Sequence, residues 1–226
     1  MRRVRAAQAG FTLVELMIVV VLISILAVIA TPAMRGARDD RLAFDYARRI
    51  EQLVARGRAR AAGRGGSHLF IAAPSGAARG RFLLFEALDG TLPAVGGPNP
   101  LGNCKAATQW AEVAAFAPGA VGNTARIVDG LELDTAGVNV DADIRTAFSV
   151  NNVGAGAVAI CVNPSGATYV GVGANAVAAI ADMQIQSVPF AGSAQFAVTR
   201  NRAGVPVGLQ RNVIVAGTAA PRIRSQ

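Results

Sequence analysis

The sequence predicts an α+β protein in which a long, hydrophobic N-terminal α-helix forms a stalk that packs against the antiparallel β-sheet of a globular head. Three observations support this. Residues 11–31 are an apolar run, residues 33–62 carry helical periodicity, and short apolar runs separated by glycine and proline follow Gly66. A chain of 226 residues can build one core plus an appendage, so one head domain is the simplest organisation. Aromatic residues make up only 5% of the chain, which predicts a core of small aliphatic side chains.

The apolar run reads FTLVELMIVVVLISILAVIAT and is followed by Pro32. Its 21 residues would form a helix about 31 Å long, which matches the hydrocarbon core of a bilayer. Three of the first five residues are arginines, so the positive-inside rule predicts a cytoplasmic N-terminus and an exported head. An ordinary secretory signal has a shorter apolar run followed by a small-residue cleavage site, so residues 11–31 do not fit that class. An ordinary signal anchor is the alternative, but it leaves the carboxylate of Glu15 unexplained, because a charge inside a membrane helix is costly and marks function.

The segment Gly10-Phe11-Thr12-Leu13-Val14-Glu15 resembles the class III signal of type IV pilins and type II secretion pseudopilins. The resemblance implies that residues 1–10 are a leader peptide. It also implies that a prepilin peptidase cuts between Gly10 and Phe11 and methylates the new N-terminus at Phe11. Glu15 then becomes the fifth residue of the mature chain and Pro32 the twenty-second, at positions where the family has Glu and Pro.

Each of these residues has a physical reason to be there. Gly10 has no side chain, so a peptidase active site can approach the scissile peptide bond closely. In the family, the carboxylate at the position of Glu15 pairs with the N-terminal amine of the neighbouring subunit. Such a buried pair specifies register, because leaving either charge alone is expensive. Pro32 removes a backbone donor, which predicts a kink or local melting there and not a helix end, since helical periodicity resumes after it.

Residues 33–63 predict an amphipathic continuation of the helix, and Gly63-Arg64-Gly65-Gly66 predicts its end. The continuous helix would have about 52 residues and a length near 78 Å. The head is then expected to span residues 64–226. One apolar stripe should pack against the head sheet: Ala43, Tyr46, Ala47, Ile50, Leu53 and Val54.

The net charge of +8 is concentrated in the leader and in residues 35–64, which hold nine arginines and four acidic residues. A nucleic-acid patch at Arg56, Arg58, Arg60 and Arg64 is one interpretation. Cations near the C-terminus of a helix are also favoured by its macrodipole, and this structural interpretation is preferred.

Short strands are predicted in the head, with a glycine-rich stretch over residues 88–150 that holds weak strands and a short helix at Thr108–Phe116. The clearest strands are His68–Ala73, Arg81–Ala87, Ala157–Val162, Ala167–Val172, Gln195–Thr199 and Asn212–Ala216.

The two cysteines, Cys104 and Cys161, predict one disulfide, because an exported, loop-rich protein with two cysteines usually pairs them. The bond would close a loop of roughly 57 residues and stabilise the head by about 3–4 kcal/mol on the chain-entropy model. Two buried free thiols are the alternative.

The C-terminal run from Phe196 to Val215, followed by Pro221-Arg222-Ile223-Arg224, looks like the closing strands of GspH/FimT-type minor pseudopilins. Their tail is Gly-Arg-x-Arg, and Pro221 departs from its glycine. Some FimT-type pilins bind DNA through that tail, so the resemblance makes Arg222 and Arg224 candidate DNA-binding residues. A flexible basic terminus is the preferred interpretation, since chain ends are usually disordered.

Few residues in the sequence suggest a catalytic site or a metal site. The single histidine, His68, has no evident nucleophile or carboxylate partner, and a metal site would need several ligands. Asp141 and Asp143 could contact Ca²⁺, but two carboxylates are weak evidence for a calcium site. The segment 171–176 matches G-x-G-x-x-A but lacks the βαβ context of a dinucleotide site. We therefore predict no enzyme, no cofactor and no metal.

Together these features predict a minor pilin or pseudopilin of a type IV pilus or a type II secretion system. It would be a single-pass protein of the bacterial inner membrane before it joins a periplasmic or cell-surface filament. The expected partners are the prepilin peptidase, other pilin-like subunits and membrane lipid. The alternatives are a DNA-uptake pilin that binds DNA and a membrane-tethered periplasmic enzyme.

Overall fold

A computed structural model describes residues 12–73, 80–88, 104, 125–133, 144–173, 189–202, 204–217 and 219–226. Within these residues, one long helix precedes ten strands. The elements are α1 (Leu13–Arg64), β1 (His68–Ala73), β2 (Arg81–Ala87), β3 (Ala125–Glu132), β4 (Ile144–Val150), β5 (Val153–Ala155), β6 (Ala157–Val162), β7 (Thr168–Gly173), β8 (Ser193–Arg202), β9 (Val205–Ala216) and β10 (Arg222–Ser225).

The helix α1 is continuous over 52 residues and ends in a left-handed Gly65 with φ of 70°. This confirms the predicted helix and its glycine stop, since glycine adopts that conformation at little cost. Local melting at Pro32 was one predicted outcome and is wrong for this chain, because helical structure runs through the proline. A proline removes one intrahelical hydrogen bond, and the intact turns on either side maintain the helix.

The described part of the head forms two antiparallel five-stranded sheets. The first has the order β3-β2-β1-β6-β7 and the second the order β10-β9-β8-β4-β5. The antiparallel sheet structure predicted for the head is confirmed, and it is divided between two sheets. The predicted stripe on α1 packs against them: Ala43, Ala47, Ile50, Leu53 and Val54 are buried, with Tyr46 half-buried against the same core.

The main core lies between α1 and the two sheets, and its centre is aromatic. Phe70, Phe82, Phe148 and Phe196 form ring contacts with centroids 5.4–6.3 Å apart, mostly edge to face. The prediction of a small-residue rather than an aromatic core is therefore wrong at the centre. Overall composition failed as a guide because four of the nine phenylalanines, from four different strands, meet at one point, where large side chains fill the space.

The outer face of the first sheet carries a second apolar cluster, which includes Leu69, Ile71, Phe85, Cys104 and Cys161. A disulfide joins Cys104 to Cys161 of β6, with their Cα atoms 5.8 Å apart. Cys104 is thereby held against the face of the first sheet opposite α1.

Three predicted strands have the observed bounds, namely β1, β2 and β6, while β7 is shifted by one residue. The strands β8 and β9 are longer than predicted, and β3 and β4 fall where weak strands were expected. The prediction of a flexible C-terminal tail is wrong, because β10 pairs with β9 and Ile223 packs against the core. The helix predicted at Thr108–Phe116 lies outside the described residues.

Candidate functional site: the exposed N-terminal half of α1

Every described side chain from Thr12 to Arg38 is exposed. The large apolar residues Leu13–Ile29 keep between 44% and 76% of their surface, with Val19 and Leu13 at the two ends of that range. Apolar residues occupy all sides of this segment, which is typical of a helix surrounded by lipid or by other helices. Within the described residues, α1 is the one helix long and apolar enough to cross a membrane.

The start of α1 is a capping box made by Thr12 and Glu15. The backbone N–H of Glu15 donates to the Thr12 hydroxyl at 3.2 Å. In return, the backbone N–H of Thr12 donates to a Glu15 carboxylate oxygen at 3.4 Å. A capping box satisfies two of the free donors at a helix start, and a carboxylate there also complements the helix dipole. Glu15 is therefore held beside the residue that would be second in the mature chain.

The Glu15 carboxylate also accepts from the Thr12 hydroxyl at 3.4 Å, and all of these contacts are exposed. Hydrogen bonds of that length are weak, so the charge of Glu15 is poorly compensated within the described part of the chain. In an apolar environment such a carboxylate requires a cationic partner. The predicted processing residues Gly10 and Phe11 lie outside the described residues.

Two hydroxyl side chains in the exposed half of α1 donate to backbone carbonyls of the same helix. Ser24 donates to the carbonyl of Val20 at 2.8 Å, and Thr31 donates to the carbonyl of Ala27 at 2.7 Å. These bonds return hydroxyl groups to the helix backbone, so the surface of the segment stays apolar. Pro32, the other predicted assembly residue, lies in the turn after Thr31.

Two ion clusters, which we did not predict from the sequence, fasten the second half of α1 to the head. The buried carboxylate of Asp39 pairs with Arg200 and Arg202 of β8, each at 2.8 Å. At the far end of the helix, the buried Glu86 of β2 pairs with Arg64 at 2.6 Å and with Arg126. The sequence signal was an acidic residue at the start of the apolar stripe. Its partners lie more than 160 residues away along the chain, which no local pattern reveals.

Three of the four arginines near the end of α1 have partners in the head, whereas the sequence interpretation invoked only the helix macrodipole. Arg56 pairs with Asp129, Arg64 pairs with Glu86, and Arg58 donates to the carbonyl of Ala216 at 2.6 Å. Burial lowers the pKa of Arg58 from its usual value. These cations serve the contact between helix and head.

His68 lies at the start of β1 and is almost fully buried. Its Nδ1 lies 3.0 Å from the carbonyl of Gly66 and donates to it as the neutral tautomer. Burial lowers the pKa of His68, opposed by the Gly66 carbonyl and the charge of Glu86. No group of three or more metal-ligating side chains occurs among the described residues. Asp141 and Asp143 lie outside them, and Gly171 and Gly173 belong to strand β7.

Arg222 and Arg224 lie on β10, an edge strand of the second sheet, and both are exposed. They alternate with Ile223, which packs against the core, so both point to the outer face of the sheet.

Comparison of the chain with curated proteins and with solved structures finds no match. Residues 5–31 match the family model described as the prokaryotic N-terminal methylation motif. That match covers the predicted processing site, Glu15 and the exposed apolar helix. It indicates a type IV pilin-like prepilin that is processed by a peptidase, anchored in a membrane and assembled with other pilins. The chain thus carries the N-terminal methylation motif of type IV pilin-like proteins, joined to a two-sheet head.

Proposed function

We propose that the chain is a structural subunit, a GspH/FimT-like minor pilin or pseudopilin, of a type IV pilus or a type II secretion pseudopilus. The observation that carries the proposal is the helix half that is apolar on all sides, exposed, and joined to a folded head. Such a segment is stable in lipid and, after extraction from lipid, against the same segment of neighbouring subunits. In this proposal the chain has four segments with different roles: a leader (1–10), a membrane and filament-core segment (11–32), a head-bound segment (33–63) and a head (64–226).

Glu15 is proposed to select the register of assembly. Cleavage after Gly10 creates a free amine at Phe11, which is largely cationic at neutral pH. The amine of a neighbouring subunit can replace the weak capping contacts of Glu15 with an ion pair in the apolar filament core. Leaving either charge alone there is expensive, so mismatched registers are disfavoured.

Processing by a prepilin peptidase tests the proposal. The full chain would be expressed with and without the peptidase, and its intact mass and N-terminal sequence measured. We expect a mature chain that begins at N-methylated Phe11 only when the peptidase is present. Gly10→Ala should block the cut, because a side chain at that position obstructs the approach to the peptide bond. The matched control is Gly36→Ala, an exposed helical position with nothing within 4 Å of the added carbon.

An uncut chain in the presence of a peptidase that cleaves a control substrate would contradict the proposal. It would favour the membrane-tethered enzyme, for which the helix serves only as an anchor.

DNA binding is a second candidate function, favoured by the charge of the second sheet. None of the residues in β4, β5, β8, β9 and β10 is acidic, and Arg222 and Arg224 are exposed on its edge strand. Guanidinium groups bind backbone phosphates without sequence preference.

Salt-dependent binding of the full chain, in detergent, to duplex DNA tests this candidate. Changing Arg222 and Arg224 together to Gln should reduce the salt slope by about 2, one unit for each lost phosphate contact. Changing Arg48 and Arg49 together to Gln removes the same charge from the exposed side of α1 and should leave the slope unchanged. Equal effects of the two double variants would contradict a DNA site on β10.

A further inference from the structure

The tip of the β8–β9 hairpin extends beyond the other described strands of the second sheet, toward the apolar half of α1. Leu209 of β9 donates its backbone N–H to Asp40 at 2.7 Å. Further along the same strand, the carbonyl of Ala216 accepts from Arg58. A bulge in β9 around residues 208–210 faces Thr199 of β8, and Ala216 pairs with Ser193, so β9 spans about 20 Å between Leu209 and Ala216. The eighteen residues from 40 to 58 span about 27 Å of helix. β9 therefore runs nearly parallel to α1, from the membrane-proximal end of the head to its distal end.

This alignment gives the height of the hairpin tip. Val205 pairs with Arg202, which is three residues along β8 from Thr199, opposite the bulge that contains Leu209. Val205 therefore lies up to about 10 Å closer to the apolar half than Asp40 does. Asp40 is nine residues, or about 14 Å, beyond Thr31, where the apolar run ends. The tip is thus close to the level of Thr31. It falls within the headgroup layer, which is roughly 5–8 Å thick on each side of a bilayer.

The side chains at this level suit a lipid surface. Val205 is 62% exposed and Leu209 46% exposed on the hairpin, and Met34 is 72% exposed on the helix. Arg38 and Arg41 are also exposed and form no ion pair with the described residues. Both carboxylates between them are engaged, Asp39 with two arginines and Asp40 with the hairpin backbone.

The arginines and the hairpin occupy different sides of α1. Asp39 faces the head, and Arg41 lies about 200° further around the helix. Met34, Arg38 and Arg41 share one face by their spacing of three and four residues. We call the hairpin tip (Val205, Pro206) together with Met34, Arg38 and Arg41 the membrane collar, since its parts lie on opposite sides of the helix at similar heights.

We propose that the membrane collar binds the headgroup layer of the membrane before assembly, with Arg38 and Arg41 on anionic phospholipid and the hairpin tip in contact with the interface. This rests on the proposed membrane-spanning role of the apolar half. Long arginine side chains reach back toward lipid phosphates, and each cation near an anionic surface adds to binding. The contact fixes the head against the membrane. The subunit can therefore leave the membrane for the filament only when the membrane collar releases its lipids.

Fluorescence quenching by lipids that carry a nitroxide on the headgroup tests the inference. The full chain, with its disulfide intact, would carry a fluorophore on Val205→Cys in bilayers with and without anionic phosphatidylglycerol. The matched control is Val153→Cys, which is 69% exposed at the other end of the second sheet. Val153 pairs with Val150, which is level with Ala194 of β8, whereas Val205 is level with Arg202 of β8. Val153 therefore lies eight β8 residues, or about 26 Å, further from the membrane along the strands.

We expect quenching at Val205 about threefold or more above that at Val153, because headgroup nitroxides act only at short range and the two positions differ in height by about 26 Å. Anionic lipid should increase it. Changing Arg38 and Arg41 together to Gln should return it to the value in neutral bilayers, because the two charges account for the preference for anionic lipid. Arg48→Gln with Arg49→Gln, further along α1, should leave it unchanged.

A third label keeps this test separate from that of the proposed function. A fluorophore on Val20→Cys, quenched by lipids with nitroxide on the acyl chain, reports insertion of the apolar half. Insertion with equal quenching at Val205 and Val153 would overturn the collar and leave the filament subunit intact. Protection of Val205 only in assembled filaments would assign the surface to a second copy of the chain and would also overturn the collar. Failure of Val20 to insert would overturn the filament proposal itself.

Discussion

The two halves of α1 have the same secondary structure and opposite environments. From Leu13 to Arg38 every described side chain is exposed, whereas Asp39 begins a stripe of buried residues that continues to Ala61. Ile25 keeps 53% of its surface and Ile50 keeps none. The first half is apolar on all sides, and the second has one apolar stripe and charges elsewhere. The first half therefore finds its partners outside the chain, and the second finds them in the head.

The largest expected effect on this comparison comes from the same substitution in each half. Ile50→Ala removes a fully buried side chain from the core between helix and sheets, and should lower the free energy of unfolding of the head by about 3 kcal/mol. Ile25→Ala should change it by less than about 0.5 kcal/mol, since the side chain is 53% exposed and belongs to neither apolar cluster of the described residues. Denaturant titration in detergent micelles measures both. Similar losses of unfolding free energy for the two variants would contradict the difference in environment between the two halves of α1.

The ion pair at the boundary between the halves should have the next largest effect. Asp39→Ala leaves Arg200 and Arg202 without their buried carboxylate and should cost about 2 kcal/mol of head stability, discounted because Arg202 is half exposed. Asp45→Ala, an exposed position on the same helix, is the control and should cost less than about 0.5 kcal/mol. If the control were equally costly, the boundary would not be held by the Asp39 pair.

Two helical glycines sharpen the comparison further. A Cβ atom at Gly57 would lie 2.7 Å from a methyl group of the buried Leu84, so Gly57→Ala should destabilise the head by about 1 kcal/mol. Gly36 has nothing within 4 Å, and Gly36→Ala should raise helix content without loss of head stability. Circular dichroism and denaturant titration measure the two effects. A stabilising Gly57→Ala would contradict the close approach of helix and sheet.

The smallest effect concerns pH. Burial lowers the pKa of His68, so the unfolded chain binds its proton more readily than the folded head does. The stability due to neutral His68 is therefore complete above the unfolded pKa of about 6.5 and is lost as the pH falls below it. His68 is the only histidine, and His68→Gln should flatten the dependence of unfolding free energy on pH between about 5.5 and 7. An unchanged slope in that variant would assign the dependence to other groups.

The parts of the fold that were predictable have local signals. The length of the apolar run, the spacing of the stripe and the glycines at 65 and 66 placed α1 almost residue by residue, and the methylation motif lies in adjacent residues. The hairpin between β4 and β5 also had a signal that we did not use. Asn151 and Asn152 have φ values of 51° and 65°, the conformation that Asn favours in a two-residue turn.

The parts that were not predictable depend on distant contacts. The pairs of Asp39 with β8 and of Glu86 with Arg64 join residues that only the folded head brings together. The strand at Arg222–Ser225 was expected to be flexible because chain ends are usually disordered, but it pairs with β9. The aromatic centre of the core similarly arises from four residues on four different strands.

The claim that the first half of α1 is an assembly element is tested most directly by Glu15→Ala, with Glu51→Ala in the head-bound half as the control. Each variant would be expressed with the other filament subunits and the peptidase, and the fraction of processed subunit in sheared filaments compared with that in membranes. We expect Glu15→Ala to be inserted and processed but reduced about tenfold or more in filaments, because the neighbouring amine then lacks its carboxylate. Glu51→Ala should assemble normally. Assembly of Glu15→Ala at the wild-type level would contradict the account.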